Sequence, residues 1–174
     1  MKNININVNL GNIKVAIFDF DDTLAIHKDR DFLKHRSENE DTYLNFYLNA
    51  YLNPETFYEN IEICDKSSSL YKIINILRNN GTKLYCLTGM KFSFHLKAKQ
   101  NFIHKYYGND IEVISCYPQE RKVDAVKIIQ KVNNCDLTEI LFVDDIEDNV
   151  DKLNNLGVCA LLIDEVDSLL TIKN

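Results

Sequence analysis

Short runs of Val, Ile, Leu and Phe recur along the chain, separated by longer stretches in which apolar residues return every three or four positions. The runs at 13–18, 82–87, 111–116, 140–143 and 158–163 read as buried strands, the first opening into a loop at Asp19. Leu70, Ile73, Ile74 and Leu77 mark one face of a helix that starts at Ser67-Ser68-Ser69 and stops at Asn80-Gly81. Further helices are predicted over 91–106, over 118–132 with Val123, Val126, Ile129 and Val132 on the buried side, and around 148–156, ending at Gly157. This alternation predicts an α/β fold, a parallel sheet with helices on both faces. Right-handed crossovers bring the carboxyl ends of all its strands to one edge, where ligands bind in open α/β sheets.

Two segments depart from the alternation. Ile4, Ile6, Val8 and Leu10 share one side, and Gly11-Asn12 has the composition of a two-residue hairpin turn into the strand at 13–19. That hairpin competes with the parallel sheet, in which the same strand is central and paired on both sides. The second departure follows Leu24: a polar stretch, 25–36, reads as loop, and Ser37-Glu38-Asn39-Glu40 fits a capping box. Tyr43, Leu44, Tyr47, Leu48 and Tyr51 then predict a helix over 39–52, and Asn53-Pro54 opens a second, short helix faced by Phe57 and Ile61. Residues 37–66 thus read as a small helical insert within a single domain spanning 1–174. Its aromatic stripe reads as packing.

Composition narrows the class. The 174 residues are 45 % hydrophobic, enough for a globular core. Net charge is −6, and the basic residues are scattered, so no nucleic-acid footprint is visible, although a local basic groove is compatible with the pattern. The five cysteines (Cys64, Cys86, Cys116, Cys135, Cys159) are odd in number and form no CxxC pair. They read as reduced core residues of a reducing compartment. Residues 1–10 hold no continuous apolar stretch that could serve as a secretory signal, and no run approaches a membrane span. The expectation is a soluble, cytoplasmic protein. His27 and His35 lack a second ligand at fixed spacing and read as solvated, with His27 near enough to the first strand's end to touch a substrate.

The chemistry starts where the first strand ends, at Asp19, Asp21 and Asp22. Asp is depleted in strands, and several carboxylates at a buried strand end repel one another and resist desolvation unless a cation or a proton sits among them. Taken alone, the cluster also fits an ordinary Asp-rich turn. The later strand ends supply what a turn does not need: Thr88 beside Gly89, and Asp144-Asp145. A hard cation such as Mg²⁺ suits the acids. An Asp can then attack phosphorus, a second Asp two positions on can move the leaving-group proton, and Thr88 with the N–H groups around Gly89 can hold a phosphate. A lysine near the start of the helix in the 120s can neutralise charge on the transferring group.

These residues carry a specific resemblance. The chain resembles phosphatases of the haloacid dehalogenase (HAD) superfamily, whose first motif, DxDx[TV] after a strand, is matched by Asp19, Asp21 and Thr23. The strand-terminal Thr or Ser is matched by Thr88 before Gly89, the helix-start lysine by Lys122 rather than Arg121, and the DDxxxN strand end by Asp144, Asp145 and Asn149. The likeness covers about residues 13–163. It implies a Rossmann-like (HAD-like) three-layer sandwich with a small helical insert after the first catalytic strand. It further implies an Mg²⁺-dependent phosphohydrolase acting on a phosphorylated substrate through an aspartyl-phosphate. Asp19 would be the nucleophile and Asp21 the acid and base. Thr88, Gly89 and Lys122 would bind the phosphoryl group, and Asp19, Asp145 and the backbone carbonyl of Asp21 would hold the metal. Asp144 would orient Lys122 or the metal waters, Asn149 would lie in the outer shell, and Asp22 and Asp148 would be solvated or capping. The dehalogenases lack an acid at the position of Asp21, which favours a phosphatase or phosphotransferase. A small lid suits bulky phosphoesters. A phosphomutase shares the same core. A receiver module would carry its phosphorylated Asp at the end of the third strand, which here ends in Tyr117-Pro118. A catalytically silent HAD-like binding protein is the third alternative.

Overall fold

In a computed structural model of the chain, the structure describes residues 8–26, 52–59, 61–63, 68–89, 93–117 and 121–171. Five parallel strands form the central sheet in the order β5-β4-β1-β6-β7: β1 (Val15–Phe18), β4 (Lys83–Gly89), β5 (Ile111–Cys116), β6 (Ile140–Asp144) and β7 (Cys159–Leu162). The other two strands, β2 (Ala25–Ile26) and β3 (Glu62–Ile63), make a separate antiparallel pair. The helices are α1 (Pro54–Glu59), α2 (Ser69–Asn79), α3 (Ser93–Tyr106), α4 (Lys122–Asn133), α5 (Glu147–Asn154) and α6 (Ser168–Thr171).

The sheet is apolar on both faces, which is why its strands read as continuous hydrophobic runs rather than as alternating ones. Side chains alternate across each strand. Ala16 and Phe18 join one core with Leu84, Cys86, Leu141 and Val143, covered by α2, α3 and α6. Val15 and Ile17 join the other with Tyr85, Leu87, Ile140 and Phe142, covered by α4 and α5. Ser68 caps α2, its side chain accepting from the Tyr71 N–H, and Leu70, Ile73, Ile74 and Leu77 are all buried as their spacing predicts.

Four sequence expectations change. The hairpin at Gly11-Asn12 does not form: Leu10–Asn12 is a 3₁₀ turn whose start is capped by Asn9, which accepts the Gly11 N–H. The reason is competition, because β1 pairs in parallel with β4 on one side and β6 on the other, leaving no edge for an antiparallel neighbour. Second, residues 25–26 are not loop but strand, paired with 62–63 at the root of the predicted insert. Residues 27–51 and 64–67, including all but the last residue of the predicted helix at 39–52, His27, His35 and Cys64, lie outside the described residues. Third, Val132 is 75 % exposed, not buried. Each step of three residues falls about 60° short of a full helical turn, so the series from Val123 walks to the opposite face by Val132. Fourth, β4 extends through Thr88 and Gly89, which pair with Ser115 and Cys116.

The four described cysteines are free thiols. Among the described residues no helix is long and apolar enough to cross a membrane.

The two faces of these helices give a stability contrast. Leu77 is fully buried in α2, so Leu77→Ala should cost about 2–5 kcal/mol in urea unfolding. Val132→Ala should stay within about 0.5 kcal/mol of the parent protein.

Candidate active site

The site forms at the carboxyl ends of the three middle strands. Asp19 follows directly on β1, and its N–H still donates to the Val143 carbonyl at 2.9 Å, so the sheet ladder fixes its backbone. It stands one step beyond the Phe18–Val143 pair, level with Asp144 at the end of β6. After Asp19 the chain coils tightly. The Phe20 carbonyl accepts from both Leu24 and Ala25 N–H groups, and the Asp22 N–H donates to the Ala25 carbonyl at 2.8 Å. Asp22 closes this coil with φ at 53°, a left-handed conformation that Asp tolerates better than most residues. Tyr107, just past α3, anchors the coil from outside by donating its hydroxyl to the Leu24 carbonyl.

Two lysines then reach the strand ends from opposite faces of the sheet. Lys122, at the first position of α4, is 1 % exposed, and its Nζ lies 2.7 Å from Asp19 Oδ1 and 2.7 Å from Asp144 Oδ2. Asp144 has further donors, the Ile146 N–H at 2.9 Å to Oδ1 and Asn149 Nδ2 at 3.1 Å to Oδ2. From the other face comes Lys99, in the second turn of α3 and 2 % exposed. Its Nζ donates to Asp21 Oδ2 at 2.6 Å and to Thr88 Oγ1 at 2.7 Å, and sits 4.4 Å from the centre of the Phe20 ring and 5.7 Å from that of Tyr58.

The electrostatics follow from this arrangement. Burial raises the Asp19 pKa to about 7, with the neighbouring Asp144 and Asp21 charges adding to it and Lys122 opposing it. Burial by itself would lower the Lys122 pKa, but Asp19 and Asp144 together outweigh it and raise it, so the lysine stays charged. The two directions are consistent, since one ammonium serves two carboxylates and Asp144 has the additional amide donors. Asp145 is an exposed residue, yet desolvation of its carboxylate and the Asp144 charge push its pKa up to about 6.

The donor set fits a hard divalent cation. Carboxylate oxygens of Asp19, Asp144 and Asp145 lie within 4.8 Å of one another. Around the site the carboxylates of Asp19, Asp21, Asp144 and Asp145 face the ammonium groups of Lys99 and Lys122, an excess of two negative charges when all are ionised. Oxygen-only ligands and a deficit of positive charge suit Mg²⁺ rather than a softer metal.

The structure therefore brings Asp19, Asp144, Asp145, Asn149 and Lys122 into one cluster and Asp21, Thr88 and Lys99 into another beside it. Gly89 ends β4 next to Thr88. Arg121, the weaker alternative to Lys122, is exposed, and Asp148 is an exposed partner of Lys152 on α5. Lys99 is the residue that the motifs did not reveal. Its signal was a lysine in line with Ala98, Phe102 and Ile103, on the apolar face of α3, where an amphipathic helix places hydrophobic residues.

No known protein-family profile matches this sequence, and no curated protein is detectably similar to it. Solved structures do share its fold. The N-terminal part of BF1531 from Bacteroides fragilis, which contains a phosphatase domain and was solved with Mg, aligns over 92 % of this chain at 15 % identity and a TM-score of 0.58; this chain spans 40 % of that structure. A phosphoserine phosphatase captured as a phospho-aspartyl intermediate analogue aligns over 83 % of this chain and 84 % of its own, at 17 % identity and a TM-score of 0.51. The HAD family enzyme BT-2542 from Bacteroides thetaiotaomicron, in a magnesium complex, aligns over 87 % and 93 %, at 15 % identity and a TM-score of 0.51. The chain has the haloacid dehalogenase fold, a Rossmann-like α/β sandwich around a parallel sheet.

The raised carboxylates set a pH signature for the metal-free protein. Unfolded, Asp19 and Asp145 titrate at about 3.9; folded, they titrate near 7 and 6. Their contribution to stability is fully present below the unfolded value and is lost as pH rises through 6 and then 7. A cation that binds the ionised pair reverses the loss. Thermal unfolding should therefore show a Mg²⁺-dependent rise in Tm at pH 8 that shrinks at pH 5, and an equal rise at both would contradict the assignment.

Proposed function

We propose that this protein is a Mg²⁺-dependent phosphohydrolase that cleaves a phosphomonoester through an aspartyl-phosphate on Asp19. The observation that supports the reading is that residues separated in sequence gather at adjacent strand ends of a HAD-like sheet, Asp19, Lys122 and Asp145 in one cluster and Asp21 and Thr88, joined by Lys99, in a second beside it. Of the solved structures that share this fold, one contains a phosphatase domain and another is a phosphoserine phosphatase, and the first of these and the HAD family enzyme BT-2542 were solved with magnesium.

In this reading Asp19 Oδ attacks phosphorus while the bond to the leaving oxygen breaks, and Asp21 gives that oxygen its proton. Asp21 then takes a proton from water, whose oxygen attacks the phosphorus and releases Asp19. Thr88, the backbone at Gly89 and Lys122 hold the phosphoryl oxygens, Lys122 also aligning Asp19. Asp144 keeps Lys122 in place, and Asn149 holds Asp144. Asp19, Asp145 and the backbone carbonyl of Asp21 would hold Mg²⁺, which when bound would supply positive charge to offset that of the carboxylates and the phosphate. In the same reading residues 37–66 are a small cap insert within a single domain spanning 1–174.

The test is a phosphatase screen, with Mg²⁺ and with chelator, over nucleotides, sugar phosphates, phosphopeptides and 3′-phosphorylated oligonucleotides. Phosphate release should require Mg²⁺, vanish in Asp19→Asn, and fall by about 10²–10⁴-fold in Asp21→Asn. Turnover that survives chelation or Asp19→Asn would overturn the reading.

A further inference from the structure

Lys99 is buried, charged and absent from the motifs that define the site, so its position needs a reason of its own. A lysine on the apolar face of a helix is costly to bury unless its charge is met. Here it is met by a carboxylate, a hydroxyl and the faces of two aromatic rings. Both polar partners belong to the catalytic set proposed above.

We propose that Lys99 is a positioning residue that sets Asp21 and Thr88 on the same phosphoryl group, an inference that rests on the phosphohydrolase reading. The argument comes from hydrogen-bond inventory. A lysine ammonium only donates. Thr88 Oγ1 must accept from it at 2.7 Å, so the hydroxyl's own hydrogen is turned away from Lys99 and is available to a phosphoryl oxygen. Asp21 Oδ2 likewise accepts at 2.6 Å, and because a protonated carboxyl oxygen is the poorer acceptor, the leaving-group proton is favoured on Oδ1 when Asp21 carries it. Lys99 thereby selects which oxygen of Asp21 delivers the proton and which way Thr88 donates.

The lysine is itself held. Phe20 lies beneath it, in edge contact with Phe102 of α3 at 5.4 Å and with Tyr58 of α1 at 5.5 Å between ring centres. Tyr58 is 5 % exposed and α1 packs on α3, so α1 reaches Lys99 through the Tyr58 ring.

Lys99→Met keeps the length and apolar contacts of the side chain while removing both hydrogen bonds, and Lys99→Arg restores a cation of different shape. With Mg²⁺ present, Lys99→Met should lower kcat on an alkyl phosphate, whose leaving group needs the proton, by about 10²-fold. On p-nitrophenyl phosphate, whose leaving group does not, the loss of kcat should be much smaller and the change should fall mainly on KM, through Thr88. Lys99→Arg should recover part of the alkyl phosphate activity. Equal losses of kcat on both substrates, or none, would overturn the proposal. A second measurement does not need turnover: the ¹⁵N resonance of the Lys99 ammonium should shift in Asp21→Asn and again in Thr88→Val. A resonance unmoved by both would also overturn it. If the parent protein hydrolyses no phosphomonoester, the phosphohydrolase reading fails, and the ammonium spectrum alone decides whether the bridge exists.

Discussion

One ammonium group shared by two buried carboxylates is the constraint on which this structure turns. Lys122 meets Asp19 and Asp144 at equal distance, and neither aspartate has water to fall back on. Asp144 is the better served, because Asn149 and the Ile146 N–H also donate to it. Asp19 shares its ammonium, and its pKa is raised chiefly by burial, with the Asp144 and Asp21 charges adding to the rise and Lys122 opposing it. A carboxylate so placed is stabilised by a proton or by a cation, and Asp145 stands close enough to share the cation. The proposed metal binding, the pH-dependent stability and the proposed transfer of a phosphoryl group to Asp19 would all follow from that one electrostatic deficit.

The fold creates the deficit and limits it. A five-stranded parallel sheet whose middle strands are buried on both faces brings the polar ends of β1, β4 and β6 together, with apolar cores directly behind them. Each face contributes one helix with one inward lysine: α4 brings Lys122 to the nucleophile, and α3 brings Lys99 to Asp21 and Thr88. The two cations are thus divided between the two halves of the proposed reaction, attack on phosphorus and proton transfer. Removing one partner of such a buried pair costs about 3–5 kcal/mol, because the other charge is left uncompensated.

Much of this was legible in the sequence, and the reasons differ by element. Strand positions were readable because a doubly buried strand is a continuous apolar run, as at Val15–Phe18 and Ile140–Asp144. The Asp cluster stood out because carboxylates conflict with a strand end unless chemistry needs them. The hairpin at Gly11-Asn12 failed because a good local turn signal lost to the parallel neighbours of β1. Val132 failed because a spacing of three drifts around a helix. Lys99 was missed for a deeper reason. Its partners, Asp21 and Thr88, lie 78 and 11 residues away, and nothing local distinguishes it from a solvated helix lysine except its place in an apolar stripe. The strand pair at 25–26 and 62–63 was hidden likewise, since two residues are too few to carry a periodicity.

The central claim is that Asp19 takes the phosphoryl group. The direct measurement is to quench the protein with acid while it turns over a phosphomonoester in Mg²⁺, reduce the quenched sample with borohydride, and locate any reduced residue by peptide mass spectrometry. The account predicts homoserine at position 19, the product of reducing an aspartyl-phosphate there. Turnover with position 19 unaltered, or with the reduced residue at another aspartate, would contradict it.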